Sequence, residues 1–219
     1  MLGAASNHKA QFLIELGQFA RARQALDYAD PPVEAVRARR AHLLARIDRA
    51  LEHPAPERLQ FALEALDRAN DPHVRMHVML EAAGHNDPEA AMQHCDEVLR
   101  MARQLEFGGV AMKASLLRAF AQSRAGHTAQ AAAAMCELVA EMPRVPPADL
   151  YRGEAWWLAA QVFDAAGDSA QALLALAQGT DWVRRVALPN VPDEFRDSFL
   201  SRNPANRGLL AAADRRSSG

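Results

Sequence analysis

The sequence predicts an all-α fold built as a stack of antiparallel helical hairpins, and three observations carry that prediction. Every one of the twelve prolines falls between apolar-periodic blocks or in the first turn of one, so none interrupts a helix interior. Alanine is abundant while aromatics make up 6% of the chain, a mix suited to closely packed helices and poor for a sandwich or barrel. No stretch alternates with period two for long enough to argue a strand. Half of the 219 residues are apolar, enough to fill a continuous core.

Punctuation sets the elements in order. A first helix over 8–16 ends at Leu16-Gly17, and a second over 19–29 stops before Pro31-Pro32. The third, 33–52, carries Leu43, Leu44, Ile47 and Leu51 as one stripe. It turns at His53-Pro54-Ala55-Pro56-Glu57 into 57–69. Helices over 72–83 and 88–106 flank Ala83-Gly84, where Asn86-Asp87-Pro88-Glu89 supplies a cap and a first-turn proline. Further helices span 109–125, 128–142, 148–166 and 169–187, and two short ones lie near 192–201 and 204–214. The chain begins only a few residues before its first Leu-Gly turn, which predicts a short first helix.

The helices pair by a recurring spelling of small or apolar residue, Gly, two residues, Ala, one residue, Ala. Leu16-Gly17 is followed by Ala20 and Ala22, Ala125-Gly126 by Ala129 and Ala131, and Ala166-Gly167 by Ala170 and Ala172. Glycine accepts the left-handed conformation that ends the first helix of a hairpin, and the alanines let the second helix lie close against it. Gly84 to Gly126 is 42 residues and Gly126 to Gly167 is 41, while the 67 from Gly17 to Gly84 leave room for one hairpin that turns without glycine. About five hairpins are implied, filling 1–188, with 189–219 as capping helices and a flexible tail.

The segment Ala10-Gln11-Phe12-Leu13-Ile14-Glu15-Leu16-Gly17-Gln18-Phe19-Ala20-Arg21-Ala22 resembles the core of a tetratricopeptide repeat. Arg118 to Gly126 and Ala159 to Gly167 resemble the same element, although the units are nearer 40 residues than the standard 34. The resemblance implies a right-handed superhelix whose first helices line a concave face. The long units, and the tail from Val191 to Arg207, resemble the C-terminal helical-repeat regions of large bacterial multidomain ATPase and transcription regulators. That likeness implies a sensor or interaction domain in signal transduction, with DNA-binding and nucleotide-binding modules attached upstream.

Composition excludes little but invites little. A formal net charge of −2 gives no general pull toward nucleic acid or anionic lipid, and no direct nucleic-acid or membrane partner is expected. Lys9 and Lys113 are the only lysines, so nearly all basic charge is arginine. Cys95 and Cys136 have no ligand-like spacing and are expected as free buried thiols in a reducing compartment. Without a secretory pattern or a long apolar run, a soluble cytoplasmic chain is expected.

No constellation argues for catalysis. Gly108-Gly109-Val110-Ala111-Met112-Lys113-Ala114-Ser115 lacks the second glycine of a phosphate loop and follows no strand. His94 and Cys95 are adjacent and therefore point about 100° apart on a helix, so they cannot form a base–nucleophile pair. His73, His77 and Glu81 share a helical face, but no further ligand joins them, and no metal or cofactor is assigned. Arg37, Arg39, Arg40, Arg46 and Arg49 crowd one helix opposite its leucine stripe and are expected on a solvated outer face.

Trp156 and Trp157 must point apart, one into its hairpin; core packing of both is the leading expectation, with the concave surface as the alternative place for the other. The binding residues expected there are Arg75, Arg118, Arg152, Trp157 and Gln161. The leading reading is a non-catalytic scaffold that holds a protein segment, peptide or small effector. Two others stand beside it: a self-associating spacer whose last hairpin is covered by Trp182, Phe195 and Phe199, and a metal-binding protein using the His73/His77 stripe.

Overall fold

The three repeat glycines end helices in the left-handed region, with φ of 70° at Gly17, 92° at Gly126 and 76° at Gly167. In each turn the residue after glycine donates its N–H five residues back, as from Gln18 to the Leu13 carbonyl at 2.8 Å, which satisfies the helix's last acceptors. Gly84 differs, with φ of −69°. Glu52 and Glu106 instead take positive φ and end two other helices with the same five-residue bond.

The computed structural model describes residues 2–53, 55–69, 71–84 and 87–217. These form twelve α-helices and no strand: α1 (Leu2–Glu15), α2 (Phe19–Ala25), α3 (Glu34–Ala50), α4 (Pro56–Ala69), α5 (Pro72–Ala83) and α6 (Pro88–Gln104). There follow α7 (Gly108–Arg124), α8 (Thr128–Glu141), α9 (Arg152–Ala165), α10 (Ser169–Asp181), α11 (Asp193–Ser201) and α12 (Pro204–Ser217). Asp71, Asp87 and Asp168 cap α5, α6 and α10, each accepting an N–H at 3.0 Å. Asn86 of the expected cap and Pro54 of the expected turn lie outside the described residues.

Several expected boundaries move, among them the end of α2, which stops at Ala25 rather than at 29. The first helix is fourteen residues long, because Asn7 ties its start to neighbours by donating to the Val36 carbonyl and accepting from the Tyr28 hydroxyl. The ninth helix begins at Arg152 rather than at 148, which leaves 143–151 as an irregular connector. Beyond Asp181, residues Trp182–Ala187 continue as one wide π-helical turn. The part of the expected tail up to Ser217 is helical.

Packing is sequential: each helix contacts the next within its hairpin, and α1, α3, α5, α7 and α9 also contact one another in succession as one layer. Buried alanines sit where the spelling places them, Ala22, Ala131 and Ala172 being fully buried. The largest apolar cluster joins α7–α10 to the C-terminal helices around Leu116, Met135, Phe163 and Leu209. Phe199 is buried in it with Trp182 and Phe195 packed alongside, so these three do cover the last hairpin. No helix among the described residues is long and apolar enough to cross a membrane.

The layer of odd-numbered helices, where a concave face is expected, is covered at two places. The connector 143–151 runs along the odd-helix layer, where Ala148 N–H donates to the Gly109 carbonyl at 2.9 Å. A Cβ on Gly109 would stand 3.0 Å from the Pro146 carbonyl oxygen, so the close crossing depends on glycine. At the other place the C-terminal segment returns to the first turn. Ser198 Oγ donates to the Leu16 carbonyl at 2.7 Å, Gln18 Nε2 donates to Ser198 Oγ at 2.6 Å, and Asn203 Nδ2 donates to the Glu15 carbonyl at 2.8 Å.

Two surface expectations are overturned. Cys136 is exposed, since α8 buries Ala131 and Met135 and the next residue turns about 100° away. Of the α3 arginines, Arg37 and Arg40 pair with Asp30 at the surface, and Arg49 is also exposed while its guanidinium reaches the buried Glu81. Arg39 and Arg46 point into the layer, where carboxylates from the connector and α9 lie opposite them.

Candidate functional site

The interior of the odd-helix layer holds a chain of charged groups. Asp149, held by the connector in a left-handed conformation at φ 49°, is its centre. Its Oδ2 accepts from Arg39 Nη2 at 3.0 Å and lies 3.5 Å from His77 Nε2. Its Oδ1 accepts from Gln11 Nε2 at 3.4 Å, and its backbone carbonyl accepts from Lys113 Nζ at 3.2 Å. One residue thus ties together α1, α3, α5 and α7.

Burial governs how these groups titrate. It would raise the Asp149 carboxyl, but its charged neighbours, His77 when protonated and the permanently charged Arg39 with Lys113, outweigh it and hold the group below the usual carboxylate range. Burial, reinforced by Lys113, lowers His77 and keeps it neutral. The Lys113 ammonium is pushed down to about 8 by burial and by Arg46. His42, fully buried on α3, is pushed down to about 4 by burial, against the pull of Glu81. Glu81 itself is 5% exposed and held by Arg49 Nε at 2.9 Å.

Beside this network lies a cavity of about 270 Å³, near the lower end of what small-ligand sites occupy. Its walls come from distant parts of the chain: Glu15 on α1, Phe19 on α2, Arg46 and Arg49 on α3, Phe120 on α7, Glu154, Trp157 and Gln161 on α9, and Asn203 to Ala205 at the start of α12. Arg46 and Glu154 make no hydrogen bond or ion pair with any described residue. Glu15 is raised by burial, with Arg46 opposing.

Of the five residues expected to bind a partner, two come together. Trp157 and Gln161 share the cavity, Gln161 Nε2 donating to the Trp157 carbonyl at 3.2 Å. Trp156 packs on Gly179 of α10 and Trp157 on Gly208 of α12, and both lie against the largest apolar cluster. Arg118 lies elsewhere, lining a groove of about 610 Å³ between α6, α7 and α8 and pairing with Asp96 at 2.6 Å. Arg152 is exposed at the start of α9 and Arg75 is half-buried on α5; neither lines the cavity.

His73 and His77 do meet, with Nε2 atoms 3.4 Å apart, but Glu81 is turned to Arg49 and His42. Among the described residues no three His, Cys, Asp or Glu side chains are grouped to hold a metal ion. Burial pushes the Cys95 thiol up to about 12, far from a nucleophile's range.

Sequence reasoning missed Asp149, Gln11, Glu15, Arg46 and Glu154. The connector carrying Asp149 has no periodicity to read, and only its three prolines, Pro143, Pro146 and Pro147, mark it as irregular. Comparison with protein-family models, with curated proteins and with solved structures finds no match.

Proposed function

We propose that this chain is a non-catalytic binding scaffold: a tetratricopeptide-like array that engages a protein segment or small effector and relays its presence to attached domains of a larger bacterial signalling or transcription regulator. The observation that carries the reading is where the cavity lies. It sits at the seam between the first hairpin and the C-terminal segment, and its walls come from six helices, α1, α2, α3, α7, α9 and α12, together with Tyr151 and Asn203. An occupant touching Glu15 and Asn203 together has different contacts when the seam is closed and when it is parted. That differential affinity is all a relay needs, and no bond has to be made or broken.

Affinity capture on the immobilised full chain tests the reading. Gln161→Ala removes a polar edge of the cavity without touching the core, while Trp157→Ala removes an anchor that also packs on Gly208. Both are expected to reduce the captured species several-fold while far-ultraviolet circular dichroism stays unchanged for Gln161→Ala. Unchanged capture by both variants would count against the cavity as the working surface.

A second reading, self-association, draws on Leu173, Leu174 and Val186, each about half exposed near the end of the array. Light scattering that returns a monomer at all concentrations disposes of it.

A further inference from the structure

We infer that the seam cavity takes a small zwitterion carrying a carboxylate and an ammonium at one end and an apolar side chain at the other, the chemistry of a free α-amino acid. The inference rests on the scaffold reading above and specifies its ligand.

Charge balance on the cavity walls makes the first half of the argument. Arg49 is in direct contact with Glu81, its Nε 2.9 Å from Oε1. Arg46, Glu15 and Glu154 remain, one cation and two carboxylates facing the same space. Arg46 and Glu154 make no direct hydrogen bond or ion pair among the described residues; Arg46 reaches Glu15, and Glu154 reaches Arg49 and Lys113, only through longer-range attraction. Charge left without a direct contact in a half-buried pocket is costly, and it is relieved by groups of opposite sign placed against each. A plain anion would satisfy Arg46 and meet two carboxylates. A plain cation would satisfy the carboxylates and meet Arg46. A molecule with both charges satisfies all of them, with the carboxylate on Arg46 and the ammonium between Glu15 and Glu154.

Shape makes the second half. The other walls are apolar and aromatic, with Phe19, Phe120, Trp157 and Leu158 offering a bed for a side chain. A volume of about 270 Å³ admits a single amino acid and excludes a folded partner. The ligand would also bridge the seam, because Glu15 belongs to the first hairpin and Glu154 and Trp157 to the last.

The test is isothermal titration of the full chain with each of the twenty free L-amino acids at millimolar concentration. Any amino acid that binds is then compared with its methyl ester, which lacks the carboxylate, and its N-acetyl form, which lacks the ammonium. At least one amino acid with an apolar or aromatic side chain is expected to bind, and both derivatives are expected to bind about ten-fold or more weakly, the loss for one charge-assisted contact. Arg46→Gln should weaken the free amino acid to the level of its ester and leave the ester unaffected. Glu154→Gln should do the same for the N-acetyl comparison, and circular dichroism checks that both variants fold.

Absence of binding by all twenty, or esters and N-acetyl forms binding as tightly as the parent, overturns the inference. If that happens while Gln161→Ala still loses its captured species, the scaffold reading survives and only the ligand class falls. If amino acids bind and capture is indifferent to Gln161 and Trp157, the site stands and the partner docks elsewhere.

Discussion

His42 shows how one buried side chain couples the interior to pH. Arg39 Nη1 lies 3.2 Å from its Nδ1, and since a guanidinium only donates, Nδ1 must accept and the proton sits on Nε2. That N–H faces Glu81 Oε2 at 3.6 Å, too long for a good bond. A second proton would have to go on Nδ1, against Arg39, with Arg46 also near. The folded imidazole therefore holds out to about 4 while the unfolded one titrates near 6.5. Between those values the unfolded chain binds more protons, so stability falls as pH drops through that window and levels off below it. The loss from His42 alone is at most about 3 kcal/mol. His77, also lowered by burial, adds in the same direction. Asp149, held below its ordinary value, gives up its contribution only at more acid pH. Urea unfolding midpoints at pH 7.5 and 5 should differ, and His42→Gln should shrink the difference. A midpoint flat across that range would show that the imidazole is not buried neutral.

At the scale of the element, three glycines spelled alike carry unequal loads. All three have positive φ, which costs an L side chain about 1–2 kcal/mol. A Cβ on Gly126 or Gly167 would meet nothing within 4 Å, whereas one on Gly17 would stand 2.4 Å from the Ser198 carbonyl oxygen. Gly17→Ala should therefore cost about 2–5 kcal/mol, against about 1–2 for Gly126→Ala and Gly167→Ala. Equal costs in chemical denaturation would mean that the C-terminal segment does not press on the first turn. Sequence periodicity made the hairpins legible, because glycine, alanine and proline act through local backbone geometry. It could not distinguish Gly17 from its two siblings, since the difference lies in a contact with a residue some 180 positions away. The same limit explains the α3 arginines. A leucine stripe identifies which side of a helix is apolar, but whether the other side meets solvent or acidic partners depends on what the rest of the chain places there. Asp149 and Glu154 arrive from the connector and α9, more than 100 residues later.

At the scale of the whole molecule, the contact between first and last units decides how the chain comes apart. In an open array each hairpin touches only its neighbours, so the ends fray independently and a lesion at one end is felt only there. Here Ser198 Oγ donates to the Leu16 carbonyl and accepts from Gln18, while Asn203 donates to the Glu15 carbonyl. Arg21 also lies over the Phe195 ring, 5.3 Å from its centroid. Ser198→Ala leaves the Leu16 carbonyl and the Gln18 amide without that partner, at a cost of about 1–3 kcal/mol. Because the serine is shared, the cost should appear at both ends. Native-state hydrogen exchange should speed up in α1 and α2 as well as in α11 and α12, with the middle helices α5 and α6 nearly unchanged. Faster exchange confined to α11 and α12 would mean that the seam is not closed in solution, and the cavity that depends on it would lose one of its walls.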